Sequence, residues 1–172
     1  SRFDIIEKKT IKVSKLDELV DNKNQPHFLK LDIQGSELEV LKGSTDTLKK
    51  VLGLEVELNF KEIYKNIPLA HEVEMHLNSL GFVLIDYLTF FRWNRISLNG
   101  YGEIIFGDAL FLRTPEKIIE IAKNNNDKIS IYENYIKILF SYNKLDLIEK
   151  FSQLISDKEK KDLELNHVIK FL

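Results

Sequence analysis

Residues 27–43 read HFLKLDIQGSELEVLKG, and they put an apolar run, a carboxylate, a glycine and a helix start in immediate succession. Ligands of open α/β sheets bind beyond the carboxyl ends of the strands. Asp32, closing the run FLKL, falls at such an end, and Glu57, closing GLEV, falls at another. If the two runs are neighbouring strands, both carboxylates face one crevice. Two carboxylates at the ligand edge of a sheet mark a candidate functional site. Lys30 lies two residues before Asp32 and shares its face. The alternative is a structural ion pair of Lys30 with Asp32 or Glu57, because a buried charge without a partner is costly. Gly35 permits either close approach of the backbone to a ligand or the turn into the helix. Glu37 falls in the first helical turn, where its charge suits the helix dipole.

Other motifs lead nowhere. His71 and His76 are five residues apart, whereas two zinc ligands on one helical face need a spacing of four. GYGEIIFG leads into a strand rather than a helix, so it is no dinucleotide loop. The sequence has no nucleophile elbow and no P-loop. The cluster Phe90, Phe91, Arg92, Trp93 and Arg95 can hold a substrate or pack as a loop on the sheet edge.

The flanking patterns define the elements that must carry these residues. TIKV at 10–13 is predicted as a short strand and SKLDELV as a short helix. Ser14 and Asp17 form a capping-box pattern there, as do Ser36 and Glu39 before the next helix. Gly43 suits a left-handed helix end. STDTLKKV is helical, and LGLEVELNF alternates as a strand. PLAHEVEMHLNSLGF is an amphipathic helix closed by Gly81, with Leu69, Val73, His76 or Leu77, and Leu80 on its apolar stripe. FVLIDYL is a strand, residues 89–103 a long aromatic and basic loop, and IIFGDALFLR a strand interrupted at Gly107. This order points to an α/β layered sheet. Strand signals end at residue 113. Thr114 and Pro115 open a run of helical patterns, so the chain divides into 1–114 and a helical extension at 115–172.

Composition narrows the function classes. The 172 residues are 44% hydrophobic and 30% charged, with a formal net charge of −2. That balance argues against a general nucleic-acid binder, which needs a basic face. The sequence has no cysteine, which excludes disulfides and thiolate metal sites and fits a cytoplasmic setting. No apolar run approaches the ~20 residues of a membrane span. SRFDIIEKK lacks the apolar block of a signal peptide.

The strings KLDELV, FLKLDIQGSELEVLKG, LGLEVELNFKEIYKNIPLAHEVEMHLNSLGFVLIDY and GDALFLR occur in that order. Over residues 10–113 they resemble the second half of the FkbM-type S-adenosylmethionine-dependent methyltransferases. The resemblance implies an α/β fold, the second half of a Rossmann-like class I methyltransferase sheet, with the helical tail added. FLKLDI then corresponds to the fourth strand and LGLEVELNF to the fifth. It also implies O-methylation of a sugar, glycan-linked or natural-product hydroxyl. Asp32 and Glu57 become catalytic candidates, and Asp32, Gln34 and Gly35 contacts to S-adenosylmethionine. Tyr64 and Arg92 become contacts to a small-molecule or glycan acceptor. The family's Gly-rich turn and the acidic residue after its second strand have no counterpart here, so the chain is expected to be a carboxyl half with little activity of its own. An exposed half-sheet is expected to self-associate. The competing class is a non-catalytic or degenerate interaction module with a protein-binding tail; a glycan-binding protein rests on the aromatic loop alone.

Overall fold

A computed structural model describes residues 6–21, 24–94, 100–123, 125 and 127–164. Its strands are β1 (Phe28–Leu31), β2 (Gly53–Asn59), β3 (Val83–Tyr87), β4 (Phe91–Trp93) and β5 (Glu103–Leu112). Its helices are α1 (Leu16–Leu19), α2 (Glu37–Lys42), α3 (Thr45–Leu48), α4 (Ala70–Ser79), α5 (Pro115–Ala122), α6 (Lys128–Ser141), α7 (Leu145–Leu154) and α8 (Asp157–Asp162). The sheet order is β1-β2-β5-β3, with β4 pairing the other stretch of β5. β1 and β2 are parallel, while β5 runs antiparallel to β2, β3 and β4. The sheet is therefore mixed, and compatible with a fragment of a Rossmann-like methyltransferase.

Side-chain alternation along the strands gives the sheet two apolar faces. Leu54, Val56 and Leu58 of β2 and Ala109 and Phe111 of β5 pack with Leu38, Leu41, Val73 and Leu77 of α2 and α4. Leu110 and Leu112 of β5 point the opposite way, as a period of two requires. They join Leu52, Ile118, Tyr132, Tyr135, Leu139, Ile148 and Phe151 in a second core. The helices after residue 114 thus form the layer on the second face and share a core with the sheet. α5 starts as its sequence predicts: Lys117 N–H donates to Thr114 Oγ1 at 3.3 Å, with Pro115 in the first turn.

Several local expectations are corrected. Residues 10–13 form no strand; they are exposed and meet no partner ladder. Neither predicted capping box at the first two helices forms. α1 starts after Lys15, and Asp17 instead accepts from Asp46 N–H, Thr47 N–H and Thr47 Oγ1 at 3.0, 2.7 and 2.7 Å. It holds the start of α3 from a distance in sequence. Ser36 makes no side-chain cap bond at α2. Gly43 has φ −86°, not a left-handed value, whereas Gly81 has φ +83°. The loop at 89–103 contains β4, and its residues 95–99 lie outside the described part. Gly107 does not interrupt β5. It lets Thr89 approach, since a Cβ there would sit 2.3 Å from the Thr89 carbonyl oxygen.

Candidate active site

Pairing in register carries the candidate residues into one row. Lys30 lies opposite Glu55 across β1 and β2, and Glu57 lies opposite Asp108 across β2 and β5. Asp32 follows β1 two residues after Lys30, so it extends the row past Glu57. Gln34 closes the gap: its Nε2 donates to Asp32 Oδ1 at 3.0 Å and to Glu57 Oε2 at 3.3 Å. The structure thus joins Asp32, Glu57 and Gln34 at the carboxyl ends of β1 and β2. Asp108 completes the row, and sequence reasoning missed it. Its signal was the GDALF string that carries it, but only the antiparallel register of β5 places it beside Glu57.

The turn that delivers Gln34 is built by Glu37. Gln34 and Gly35 have φ +59° and +100°. The Glu37 carboxylate, nearly fully buried, accepts from Ile33 N–H at 3.0 Å and from Gly35 N–H at 3.1 and 3.2 Å. Glu37 therefore ties the strand-to-helix turn rather than only complementing the helix dipole. Gly35 takes the turn role. The space a Cβ would need is filled by Ile67, whose Cγ2 would lie 2.7 Å away, with Tyr64 Cδ2 at 3.9 Å. The glycine thus serves the turn and the packing of Ile67 against it. Gly35→Ala is expected to lower stability by about 1–3 kcal/mol, from the strained φ and the contact with Ile67. Urea unfolding checks this through the fall in midpoint.

Lys30 is paired, but with neither Asp32 nor Glu57. Its ammonium meets Glu55, and Tyr142 at the end of α6 donates to Glu55 Oε2 at 2.5 Å. Burial works against the Glu55 charge, yet the hydrogen bonds from Lys30 and Tyr142 hold its pKa below the ordinary value. Lys144 is likewise committed to Asp86. Glu57 is only 9% exposed and has no such partner. Burial, then the charges of Asp32, Glu37 and Asp108, push its carboxyl up to about 7, against a smaller pull from Lys30. Asp108 is oriented by Thr89, whose hydroxyl donates to its Oδ2 at 2.6 Å.

The two acceptor candidates separate. Tyr64, half-exposed, lies against the Gly35 turn and so near the row. Arg92 lies on β4 opposite Ile104. Its guanidinium sits 6.0 Å from the Phe90 ring centroid and 5.9 Å from that of Tyr101. It belongs to an aromatic patch with exposed Phe91 and Trp93, and its contacts do not reach Asp32 or Glu57.

The acidic row can take a proton at Glu57 near neutral pH and can face a cation or a hydrogen-bond donor. Among the described residues, no group of three or more His, Asp or Glu side chains is arranged to hold a metal ion. No helix of the described residues is long and apolar enough to cross a membrane.

No curated protein and no solved structure matches the chain. The family model of the methyltransferase FkbM domain matches residues 1–84. That span includes β1, α2, β2 and α4, hence Asp32, Gln34, Gly35, Glu57 and Tyr64, and ends before Arg92 and β5. The similarity to the methyltransferase FkbM domain thus falls on the residues that carry the strand-end carboxylates and the turn between them, consistent with an FkbM-type methyltransferase.

Proposed function

We propose that the acidic row is the acceptor side of an S-adenosylmethionine-dependent methyl-transfer site that methylates a hydroxyl of a sugar, glycan or natural product. The family match supports methyltransferase activity. The observation that carries the finer reading is Glu57: a nearly buried carboxyl, pushed up to about 7, beside Asp32 at the end of two parallel strands. A base is most effective when its pKa lies near the working pH.

S-adenosylmethionine, when bound, supplies an electrophilic methyl group on a positively charged sulfur. The donor set fits such a group, because Asp32, Glu57 and Asp108 gather without a paired cation among the described residues. Asp32 and Gln34 would lie against it. Glu57 accepts the acceptor hydroxyl's proton at a carboxylate oxygen. Gln34, bridging Asp32 and Glu57, fixes the distance between the two carboxylates, and orientation of this kind supplies much of the rate of a group transfer. Tyr64 borders the acceptor. A cytoplasmic setting goes with this reading, and the open edge of β1, which pairs only with β2 among the described strands, is a route to self-association.

Asp32→Asn in the intact enzyme is expected to abolish most methyl transfer while leaving the circular-dichroism spectrum and unfolding midpoint in place. Unchanged turnover would remove Asp32 from the site. These 172 residues contain no Gly-rich strand-to-helix turn for the donor. Calorimetric titration of the 172-residue chain with S-adenosylmethionine is therefore expected to give no binding heat, and a saturable isotherm would show that this chain suffices to hold the donor.

A further inference from the structure

The acidic row has a lysine within reach and does not use it. Lys30 stands one register step below Asp32 and Glu57, and a long side chain can reach a diagonal neighbour on the adjacent strand. Lys30 instead meets Glu55, directly opposite. Glu55 is itself held from the other layer by the Tyr142 hydroxyl. Tyr142 ends α6 and also packs on Phe28 of β1, with ring centroids 5.4 Å apart. The helical layer therefore reaches across the sheet face and fixes the one residue that occupies the lysine.

We infer that Glu55 is a positioning residue: pinned by Tyr142, it holds Lys30 out of the row Asp32–Glu57–Asp108 and so keeps that row free of a protein cation. The inference rests on the reading of this row as the acceptor side of the site. It gives the helices after residue 114 a part in the site's electrostatics, besides covering the sheet. A cation entering the row would hold Glu57 ionised and weaken it as a base. It would also compete with a positively charged ligand. The charges that bear on Glu57 are Lys30 of β1, Asp32 after it, Glu37 of α2 and Asp108 of β5. Glu55 lies two residues before it on β2, and the neighbouring Lys144 is neutralised by Asp86.

The test is a carbon-13 NMR titration of the Glu57 side-chain carboxyl in the 172-residue chain, which needs neither donor nor acceptor. In Glu55→Gln, Lys30 loses its partner and turns to Asp32 and Glu57. The Glu57 midpoint is then expected to fall by about one unit or more, as an opposite charge at close range produces. In the double variant Lys30→Met with Glu55→Gln, the midpoint is expected to return to the wild-type value or above it. An unchanged midpoint in Glu55→Gln overturns the inference. So does a fall that persists in the double variant, since the shift would not come from Lys30. Absence of methyl transfer in the intact protein would overturn the proposed function and leave these titrations standing.

Discussion

Glu57→Gln is expected to lower methyl transfer in the intact enzyme by about 10²–10⁴-fold, the usual contribution of a positioned base. With Glu57 as the proposed base, the wild-type rate should rise with pH through about 7, where burial and the neighbouring carboxylates push its carboxyl. The variant should lose that limb of the profile. Pre-steady-state methyl transfer measured between pH 5 and 9 separates this from a simple loss of fold. The same substitution is expected to stabilise the protein at alkaline pH. The folded-state pKa, about 7, lies above the ordinary 4.5. Below pH 4.5 the carboxyl is neutral in both states and costs nothing. Between 4.5 and about 7 the unfolded chain sheds its proton first, so stability falls as pH rises. Above about 7 the penalty is complete, at most about 3 kcal/mol. Glutamine keeps a hydrogen-bonding group for Gln34 and carries no charge. Urea unfolding at pH 5 and pH 8 should therefore show a gap between wild type and variant only at the higher pH. A wild-type profile flat through pH 7, with the variant fully active, would remove Glu57 from the chemistry.

Arg113→Met is expected to cost more than about 3 kcal/mol of stability. Arg113 is 4% exposed, and its guanidinium donates to three backbone carbonyls. Nε reaches Val51 O at 2.9 Å, Nη1 reaches Leu80 O at 3.0 Å and Nη2 reaches Leu48 O at 2.8 Å. Those oxygens close the ends of α3 and α4 and the approach to β2. The ion also lies 4.1 Å from the Phe82 ring centroid, and the Arg113 carbonyl accepts from the Tyr135 hydroxyl at 2.8 Å. One residue thus joins both helical layers to the end of β5, with its side chain on one face and its backbone carbonyl on the other. Methionine fills a similar volume but leaves buried carbonyls without donors, each costing about 1–3 kcal/mol. Arg113→Lys should be nearly as damaging, because an ammonium is a compact charge and lacks the planar fork that spans such acceptors. A large drop in the urea midpoint for both variants is the expected result. A midpoint close to wild type in Arg113→Lys would show that the fork geometry is dispensable.

The long strings of sequence determined the elements. An apolar run closed by a carboxylate and a glycine turn specified β1, and the alternation of apolar with charged residues specified β2, because successive side chains of a strand face opposite ways. Thr114 and Pro115 specified the start of α5 through chemistry local to a single turn. The motif around Asp32 was sufficient to indicate the family, since a strand-end acid followed by a glycine turn is a local arrangement. Contacts between distant segments were not legible in this way. Asp17 reads as a cap for its own helix and instead caps α3, because a carboxylate accepts from whichever N–H groups the fold presents to it. Lys30 reads as a partner for Asp32 or Glu57, yet register sets Glu55 opposite it and Tyr142 holds Glu55 there. Asp108 enters the row only because β5 runs antiparallel beside β2. Hydrophobic period and capping chemistry act over a few residues, so the chain announces them. Strand order, register and the pairing of charges depend on which segments pack together, and tertiary structure alone decides that.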